Sequence, residues 1–282
     1  RLRVVTGAEA HSSVFKALRM AGIGRDAVTT VPTDECGRLV AAEFPVVDDH
    51  TLVVLQAGNV NTGHSDPFAE VVGRARRAGA WVHVDGAFGL WAAVAPARRH
   101  LVAGVEGADS WATDAHKWLN VPYDSGIAVC ARGEDLARAF ATEAAYLASG
   151  AGRAPMHLSV QMSQRARAVE AWAVYASRGR QGLAEVVEAC CRHAARLGER
   201  LAAGGAEVLA PVVLNQALVC FGDDATTDAV IAALQRDGAL WAGATTWHGR
   251  RALRLSVSDE STTDADVERA ADAILACHAA VA

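Results

Sequence analysis

The sequence predicts an α/β protein with a large domain built on a mostly parallel sheet and a smaller α+β C-terminal domain. In the first half of the chain, short apolar runs alternate with segments of helical periodicity, a pattern typical of a parallel sheet covered on both faces. From Ala154 onward, two longer amphipathic segments replace this alternation, and shorter strands follow them. This change predicts residues 1–180 as the large domain and residues 181–282 as the small one.

The predicted elements of the first half begin with a strand at 4–5 and a helix from His11. Further strands are predicted at 51–58, 81–87, 108–114 and 125–131. The second of these strands is preceded by a helix that begins at Asp66–Pro67, where we expect Asp66 to cap the helix and the proline to occupy its first turn.

The second half is predicted to contain helices at 159–178 and 183–203. Three strands should follow, at 206–212, 215–222 and 251–257. A last helix opens with a cap at Thr262 or Thr263 and with acidic residues in its first turn, as the helix dipole favours.

Composition excludes several classes of protein. With 282 residues, 51% hydrophobic and 21% charged, the chain is neither disordered, nor collagen-like, nor a small disulfide scaffold. A net charge of −5 gives no basic face for nucleic acid, and we find no apolar run long enough for a membrane span. Six cysteines without C-x-x-C spacing predict reduced thiols in a cytoplasmic protein.

One candidate site residue lies at the end of the predicted strand WVHVD. Asp85 ends this apolar run, and His83 shares its face of the strand because the two are two residues apart. A buried carboxylate is costly without a cationic partner. Three interpretations are open: an ion pair with an arginine, a metal site made of His83, Asp85 and His116, or a contact with a bound cofactor.

A second candidate group follows the strand ADSWATD. Asp114, His116, Lys117 and Trp118 crowd together there. A lysine among apolar and aromatic groups is favoured as the amine of a Schiff base, because desolvation disfavours its ammonium form. Pyridoxal phosphate enzymes need such a lysine and an acid that faces the pyridine nitrogen, and Lys117 and Asp85 provide both.

At these motifs the sequence resembles the pyridoxal-dependent decarboxylases of the group that includes glutamate and aromatic-L-amino-acid decarboxylases, within the fold type I pyridoxal phosphate enzymes. The resembling segments occur in the same order along nearly the whole chain: AEAHSSVFKAL, QAGNVNTGHSDP, HVDGAFG, DAHKWLNVPYDSG, QRARAVEAWA and ALRLSVSDESTT. The resemblance implies a homodimeric lyase that decarboxylates an L-amino acid with pyridoxal 5'-phosphate. No metal, nucleic acid or membrane partner is implied.

The resemblance also implies roles for individual residues. Lys117 resembles the lysine that forms the Schiff base with the cofactor, and Asp85 resembles the carboxylate that keeps the pyridine nitrogen protonated. Ala87 would lie against one face of the ring. His11 resembles the histidine that stacks on the other face and approaches the substrate carboxylate.

Three further residues complete the site that the resemblance implies. His116 resembles a phosphate ligand, with Asp114 beside it. Arg254 matches the arginine that in the family can hold the α-carboxylate of the substrate. An exposed charge at a strand edge is the alternative interpretation of this arginine.

The sequence departs from the family pattern at three places. A threonine near the 3-hydroxyl of the ring is Val60 here, so Asn59 or Asn61 is expected to take that hydrogen bond. A loop tyrosine that protonates the carbanion is Pro155, so His157 or a partner residue would donate the proton, or the reaction would turn towards transamination or oxidation. The family's phosphate-binding loop should precede His11, so we interpret the sequence as a fragment.

Rival functions remain at this stage. The same fold could carry an aminotransferase or another lyase. A protein that binds the cofactor or a partner without turnover is a second alternative, and a metal hydrolase is a third.

Overall fold

A computed structural model describes residues 1–141 and 154–281 and contains a larger, mostly parallel sheet. Its strands are β1 (Arg3–Gly7), β2 (Val28–Val31), β3 (Thr51–Gln56), β4 (Trp81–Asp85), β5 (Ser110–Asp114) and β6 (Gly126–Cys130). They lie in the order β2-β1-β3-β4-β5-β6, and only the pairing of β5 with β6 is antiparallel among these strands. The predicted sheet is confirmed.

A second sheet of four antiparallel strands follows in the C-terminal part of the chain. Its strands are β7 (Glu207–Val208), β8 (Gln216–Cys220), β9 (Gly243–Trp247) and β10 (Arg250–Ser256). They lie in the order β7-β8-β10-β9. Strand β9 was not predicted, because it begins with a glycine and contains two threonines, so its sequence has no apolar run.

Seven α-helices connect and cover the sheets within the described residues. They are α1 (Ser12–Met20), α2 (Phe68–Arg77), α3 (Ala115–Trp118), α4 (Gly133–Phe140), α5 (Ala168–Ala203), α6 (Asp224–Asp237) and α7 (Asp264–Val281). Short 3-10 turns occur at Arg25–Ala27, Ala41–Glu43, Gly89–Val94, Arg99–Val102, Val105–Gly107 and Pro155–His157. In the described part of the chain, none of the helices combines the length and the apolar character that crossing a membrane requires.

The two faces of β4 have different surroundings: one packs in the larger core, and the other carries residues of the candidate site. Val82 and Val84 are fully buried in the larger core, together with residues of α2 such as Phe68 and Val71. Burial of side chains of this size stabilises the fold by about 1.5–3 kcal/mol each. Because side chains alternate along a strand, His83 and Asp85 point to the opposite face, as predicted from their spacing.

Helix α5 belongs to both cores. Its backbone leaves helical geometry at Gly179 (φ 61°, ψ −174°). After this break, Leu183 and Val187 pack in the larger core, whereas Leu197 and Leu201 pack in the core of the smaller sheet. The predicted boundary between residues 1–180 and 181–282 therefore lies next to this break, but residues beyond it still pack in the larger core. The division into two domains stays a prediction.

Two predicted helix caps have different outcomes. Thr263 does cap α7, since its Oγ accepts a hydrogen bond from the N–H of Asp266 at 3.3 Å. The predicted cap at Asp66 is wrong, because Pro67 occupies the N-cap position directly before α2 and no side chain caps that helix. The carboxylate of Asp66 instead accepts hydrogen bonds from the N–H groups of Leu39 and Gln56, at 2.8 Å and 2.7 Å.

Candidate active site

A cavity of about 870 Å³ opens at the carboxyl ends of β3, β4 and β5, where ligands bind in open α/β sheets. Asn59, Asn61 and His157, which the sequence also offers as candidates, are not among the described residues that line this cavity. Seven other predicted site residues do line it. They are His11, Asp85, Ala87, Asp114, His116, Lys117 and Arg254. The structure thus brings together side chains from α1, β4, the β5–α3 segment and the smaller sheet.

Lys117 lies on the single turn of α3, directly after β5. Its Nζ is 2.9 Å from Oδ2 of Asp114 and 5.0 Å from the centroid of the Phe88 ring. The lysine is therefore held between a carboxylate and an aromatic face, in the polar and aromatic surroundings predicted from the sequence. Lys16, which is exposed on α1, is the other lysine of the sequence.

Asp114 contacts the lysine rather than the histidine beside which it was predicted to act. Its Oδ2 is 3.9 Å from Nε2 of His116, against 2.9 Å from Nζ of Lys117. A carboxylate repels a phosphate group. The geometry therefore makes Asp114 the counter-ion of Lys117 and leaves His116 as the residue of this pair that suits an anion.

His116 is oriented by the loop that follows α3. Its Nδ1 is 3.0 Å from the carbonyl oxygen of Ser125 and 3.2 Å from the N–H of the same residue. The ring of Tyr123 packs against the imidazole with 4.3 Å between centroids. Tyr123 lines the cavity as well, although it was not among the residues predicted for the site.

Asp85 and His83 line the cavity from β4. Nδ1 of His83 is 2.8 Å from Oγ of Ser110, which also accepts a hydrogen bond from Nε1 of Trp81 at 2.9 Å. Burial lowers the pKa of His83 and so favours its neutral form. The polar groups beside Asp85 are thus fixed by neighbouring strands.

The metal site considered from the sequence does not form. His83, Asp85 and His116 do not bring three ligand atoms within reach of one ion. In residues 1–141 and 154–281, the three-residue group that does so is Asp48, Asp49 and His50, which are exposed at the surface. This observation removes the geometric basis for the metal hydrolase alternative.

Two residues at the edge of the cavity come from α1 and from the loop after β4. His11 caps α1, and its Nδ1 lies 2.7 Å from Oγ of Ser13. Ala87 lies between two glycines, of which Gly89 donates to the carbonyl oxygen of Ala57 at 3.1 Å. A Cβ at Gly89 would lie 2.4 Å from the backbone of Ala57, so this close approach of two loops requires glycine.

Arg254 reaches the cavity from β10 of the smaller sheet. Its Nη1 donates a hydrogen bond to the carbonyl oxygen of Val60 at 3.2 Å, and burial lowers its pKa. The side chain is half-buried rather than a free charge at a strand edge. A guanidinium in this position can bind a carboxylate.

Asn59 is a candidate that does not line the cavity. It is fully buried, and its Oδ1 accepts hydrogen bonds from the N–H groups of Asn61 and Thr62, at 2.8 Å and 3.3 Å. The amide thus stabilises its own loop, and a contact of Asn59 with the cofactor stays a prediction. Val60 lines the cavity instead.

Comparison with known proteins gives one family. The model described as the pyridoxal-dependent decarboxylase conserved domain matches residues 1–222. An aromatic-L-amino-acid decarboxylase of Drosophila lebanonensis is 28% identical over 277 residues, covering 93% of this chain and 68% of the relative. A tyrosine decarboxylase of Oryza sativa subsp. japonica is 34% identical over 235 residues, which are 76% of this chain and 43% of the relative.

Solved structures agree on the fold. Oryza sativa TDC with PLP and tryptamine superposes with a TM-score of 0.91 at 23% identity, covering 99% of this chain and 63% of that one. Mouse CSAD gives a TM-score of 0.87 at 20% identity, with 98% and 64% covered. The chain therefore spans under two thirds of each of these structures, and the predicted fold class is confirmed.

Proposed function

The chain belongs to the pyridoxal-dependent decarboxylase family, and on this premise we propose that it carries the active site of an enzyme that removes the α-carboxyl group of an L-amino acid. The observation that carries the proposal is the cavity in which Lys117, Asp85 and Arg254 meet. An amine, an acid and a carboxylate-binding cation are the three groups that this reaction needs from the protein.

The residues present fit pyridoxal 5'-phosphate by their chemistry. Lys117 would hold the aldehyde carbon, and Asp85 would hold the protonated pyridine nitrogen through a charge-assisted hydrogen bond. His11 and Ala87 would contact the two faces of the ring, and His116 would bind at the phosphate end. When bound, the cofactor supplies an electron-accepting ring for the charge that develops at Cα.

The side chains of this cavity have separate tasks during the reaction. Asp114, 2.9 Å from Nζ of Lys117, stabilises the charged amine and can take part in moving its proton. Arg254 binds the α-carboxylate and so fixes the orientation of the Cα bonds. Phe88 and Tyr123 line the same cavity and give it an aromatic wall.

The lining also supports a substrate class. Lys117 and Arg254 are the lysine and arginine that line the cavity within the described residues. If Arg254 binds the α-carboxylate, the described lining offers an acidic side chain no second arginine. An aromatic side chain, in contrast, can pack on Phe88, Tyr123 and Val60. We therefore propose aromatic amino acids as preferred substrates, as the names of the Drosophila and rice relatives suggest.

A homodimer in the cytoplasm completes the proposal. The antiparallel strand β6 has exposed residues, including Val129 at 47%, and Tyr123 and Trp172 are 79% and 68% exposed. Exposed apolar surface of this kind marks interaction sites. The six cysteines are free, which supports a reducing compartment.

The test is to incubate the full-length protein with L-tryptophan, L-tyrosine and L-glutamate in the presence of pyridoxal 5'-phosphate. We expect equal amounts of carbon dioxide and amine from the aromatic substrates. Keto acid without carbon dioxide would establish the aminotransferase alternative. Aldehyde with ammonia would show the oxidative reaction, the alternative that the presence of Pro155 in place of a tyrosine left open. Unchanged amino acids would favour a binding protein without turnover.

A further inference from the structure

Asn120 joins the turn that carries Lys117 to a loop of the smaller sheet. Its Nδ2 donates hydrogen bonds to the carbonyl oxygens of Trp118 and Ser258, both at 3.0 Å, and lies 3.5 Å from that of Lys117. Its Oδ1 accepts from the N–H of Glu260 at 3.4 Å. One side-chain amide thus contacts two segments that are far apart in the sequence.

The local backbone explains why an asparagine can do this. Asn120 has φ 52°, a left-handed conformation in which asparagine is several-fold enriched. It follows α3 by two residues, where the last carbonyl groups of a helix have no partner within the helix. The amide satisfies such a carbonyl group and holds the loop at the same time.

The loop that Asn120 holds follows directly from the strand that carries Arg254. Ser258 is four residues after Arg254, and the loop continues into α7. Lys117 and Arg254 approach the cavity from different sheets, so their spacing depends on contacts between the two parts of the molecule. The amide of Asn120 is such a contact, within three residues of Lys117.

We propose that Asn120 is a positioning residue that sets the spacing between Lys117 and Arg254 by fixing the 258–260 loop against α3. The inference rests on the proposed function, since it takes Arg254 as the group that binds the α-carboxylate. Loss of the amide would let the smaller sheet shift relative to Lys117. Substrate binding would then weaken while the cofactor end of the site stays intact.

The same loop also contacts parts of the molecule other than α3, and one of these contacts provides a matched control. Arg178 on α5 forms an ion pair with the Glu260 side chain. Val257 donates to the carbonyl oxygen of Asn215 at 2.9 Å and accepts from Nδ2 of Asn215 at 2.8 Å. These contacts attach the loop to α5 and to the segment before β8, whereas Asn120 attaches it to α3.

The decisive variant is Asn120→Asp in the full-length holoenzyme. Aspartate has the same shape and tolerates the same backbone conformation, but its second oxygen faces the carbonyl oxygens of Trp118 and Ser258 instead of donating to them. We expect KM and the apparent Kd for L-tryptophan to rise about tenfold, which corresponds to the loss of one to two hydrogen bonds. The visible absorbance of the bound cofactor should not change.

Asn120→Gly is the second variant, because it keeps the left-handed backbone and adds no charge. It should raise KM in the same direction. Glu260→Gln is the matched control, since it removes the ion pair with Arg178 and keeps the backbone N–H that Asn120 accepts. Exposed pairs of this kind contribute little, so its KM should match the wild type.

A readout independent of turnover is the hydrogen exchange of the 256–262 segment in the cofactor-free protein, which should quicken in both Asn120 variants and not in Glu260→Gln. Unchanged KM and exchange in both variants would overturn the proposal. Loss of cofactor absorbance or a general loss of folding in both variants would overturn it too, because the role would then be structural. If the wild type binds L-tryptophan without releasing carbon dioxide, the proposed function fails, and the apparent Kd still tests Asn120.

Discussion

Lys117 shows what could be predicted at the scale of single residues. Its place after a strand, among aromatic and charged neighbours, was predictable from the sequence, and in the structure Lys117 lines the cavity with such neighbours. The partner of Asp114 was not predictable from the motif, because 114, 116 and 117 are all close in sequence. The turn of α3 determines this partner, because it brings Nζ of Lys117 to 2.9 Å from Oδ2 of Asp114.

Replacement of Lys117 by alanine tests the covalent link. Lys117→Ala should abolish the visible absorbance of the linked cofactor and reduce kcat by about 10²–10⁴-fold or more, the range for loss of a group that moves protons. Lys16→Ala should leave both unchanged, because this side chain is exposed on α1. Borohydride reduction followed by peptide mass spectrometry should place the label on Lys117, and a label on Lys16 would contradict the assignment.

Asp66 is a residue whose role the sequence concealed. The motif Asp-Pro before a helix predicts a cap, but the carboxylate turns inward and accepts two backbone N–H groups. Burial raises the pKa of Asp66 from 3.8 to about 6. The sequence could not show this, because the N–H of Leu39 that it binds is 27 residues away.

The raised pKa of Asp66 predicts a pH dependence of stability. Between pH 3.8 and about 6 the folded state binds the proton more tightly than the unfolded state. The stabilisation is therefore complete below about pH 4 and is lost as the pH rises through about 6. Relative to Asp66→Asn, which does not titrate, the wild type should lose about 2–3 kcal/mol of unfolding free energy from pH 4 to pH 7. Urea unfolding of both proteins measures this difference, and parallel pH profiles would contradict it.

At the scale of elements, periodicity predicted most strands and helices of the larger sheet. It failed where local chain geometry or tertiary contacts determine whether a helix or strand forms. Residues 159–167, predicted as helical, precede the actual start of α5 at Ala168. Strand β9 forms by pairing with β10, and its own sequence carries no clear signal.

Gly179 allows a test of the break in α5. Its φ of 61° with ψ of −174° is a conformation that is open essentially to glycine alone. Gly179→Ala should lower the unfolding free energy by about 1–3 kcal/mol, although no atom would contact the added Cβ. Gly73→Ala in α2, which has helical geometry, should stabilise by about 0.5–1 kcal/mol. Equal effects of the two substitutions in urea unfolding would show that the break carries no strain.

At the scale of the whole molecule, the site depends on the docking of the smaller sheet. Periodicity and composition could not place Arg254 in the cavity. Its position there depends on a tertiary contact with Val60, which is 194 residues away in the sequence. The resemblance to the family indicated this arginine. The structure adds the contact that brings it to the larger sheet.

Arg254→Lys tests the carboxylate-binding role. The lysine keeps the charge but loses the planar pair of donors, so KM for the amino acid should rise about 10- to 100-fold. Arg251→Lys is the control on the same strand, because Arg251 pairs with Asp228 at 2.9 Å and does not line the cavity. A KM for Arg254→Lys equal to that of Arg251→Lys would remove Arg254 from substrate binding.

The part of α5 that follows Gly179 runs through both hydrophobic cores, and this has a practical consequence for any attempt to divide the protein. A cut at residue 180 would take Leu183 and Val187 away from the larger core and expose the apolar surface that they cover. A cut after residue 203 would remove Leu197 and Leu201 of α5 from the core of the smaller sheet. The two halves are therefore best treated as one inseparable folding unit in expression and truncation work.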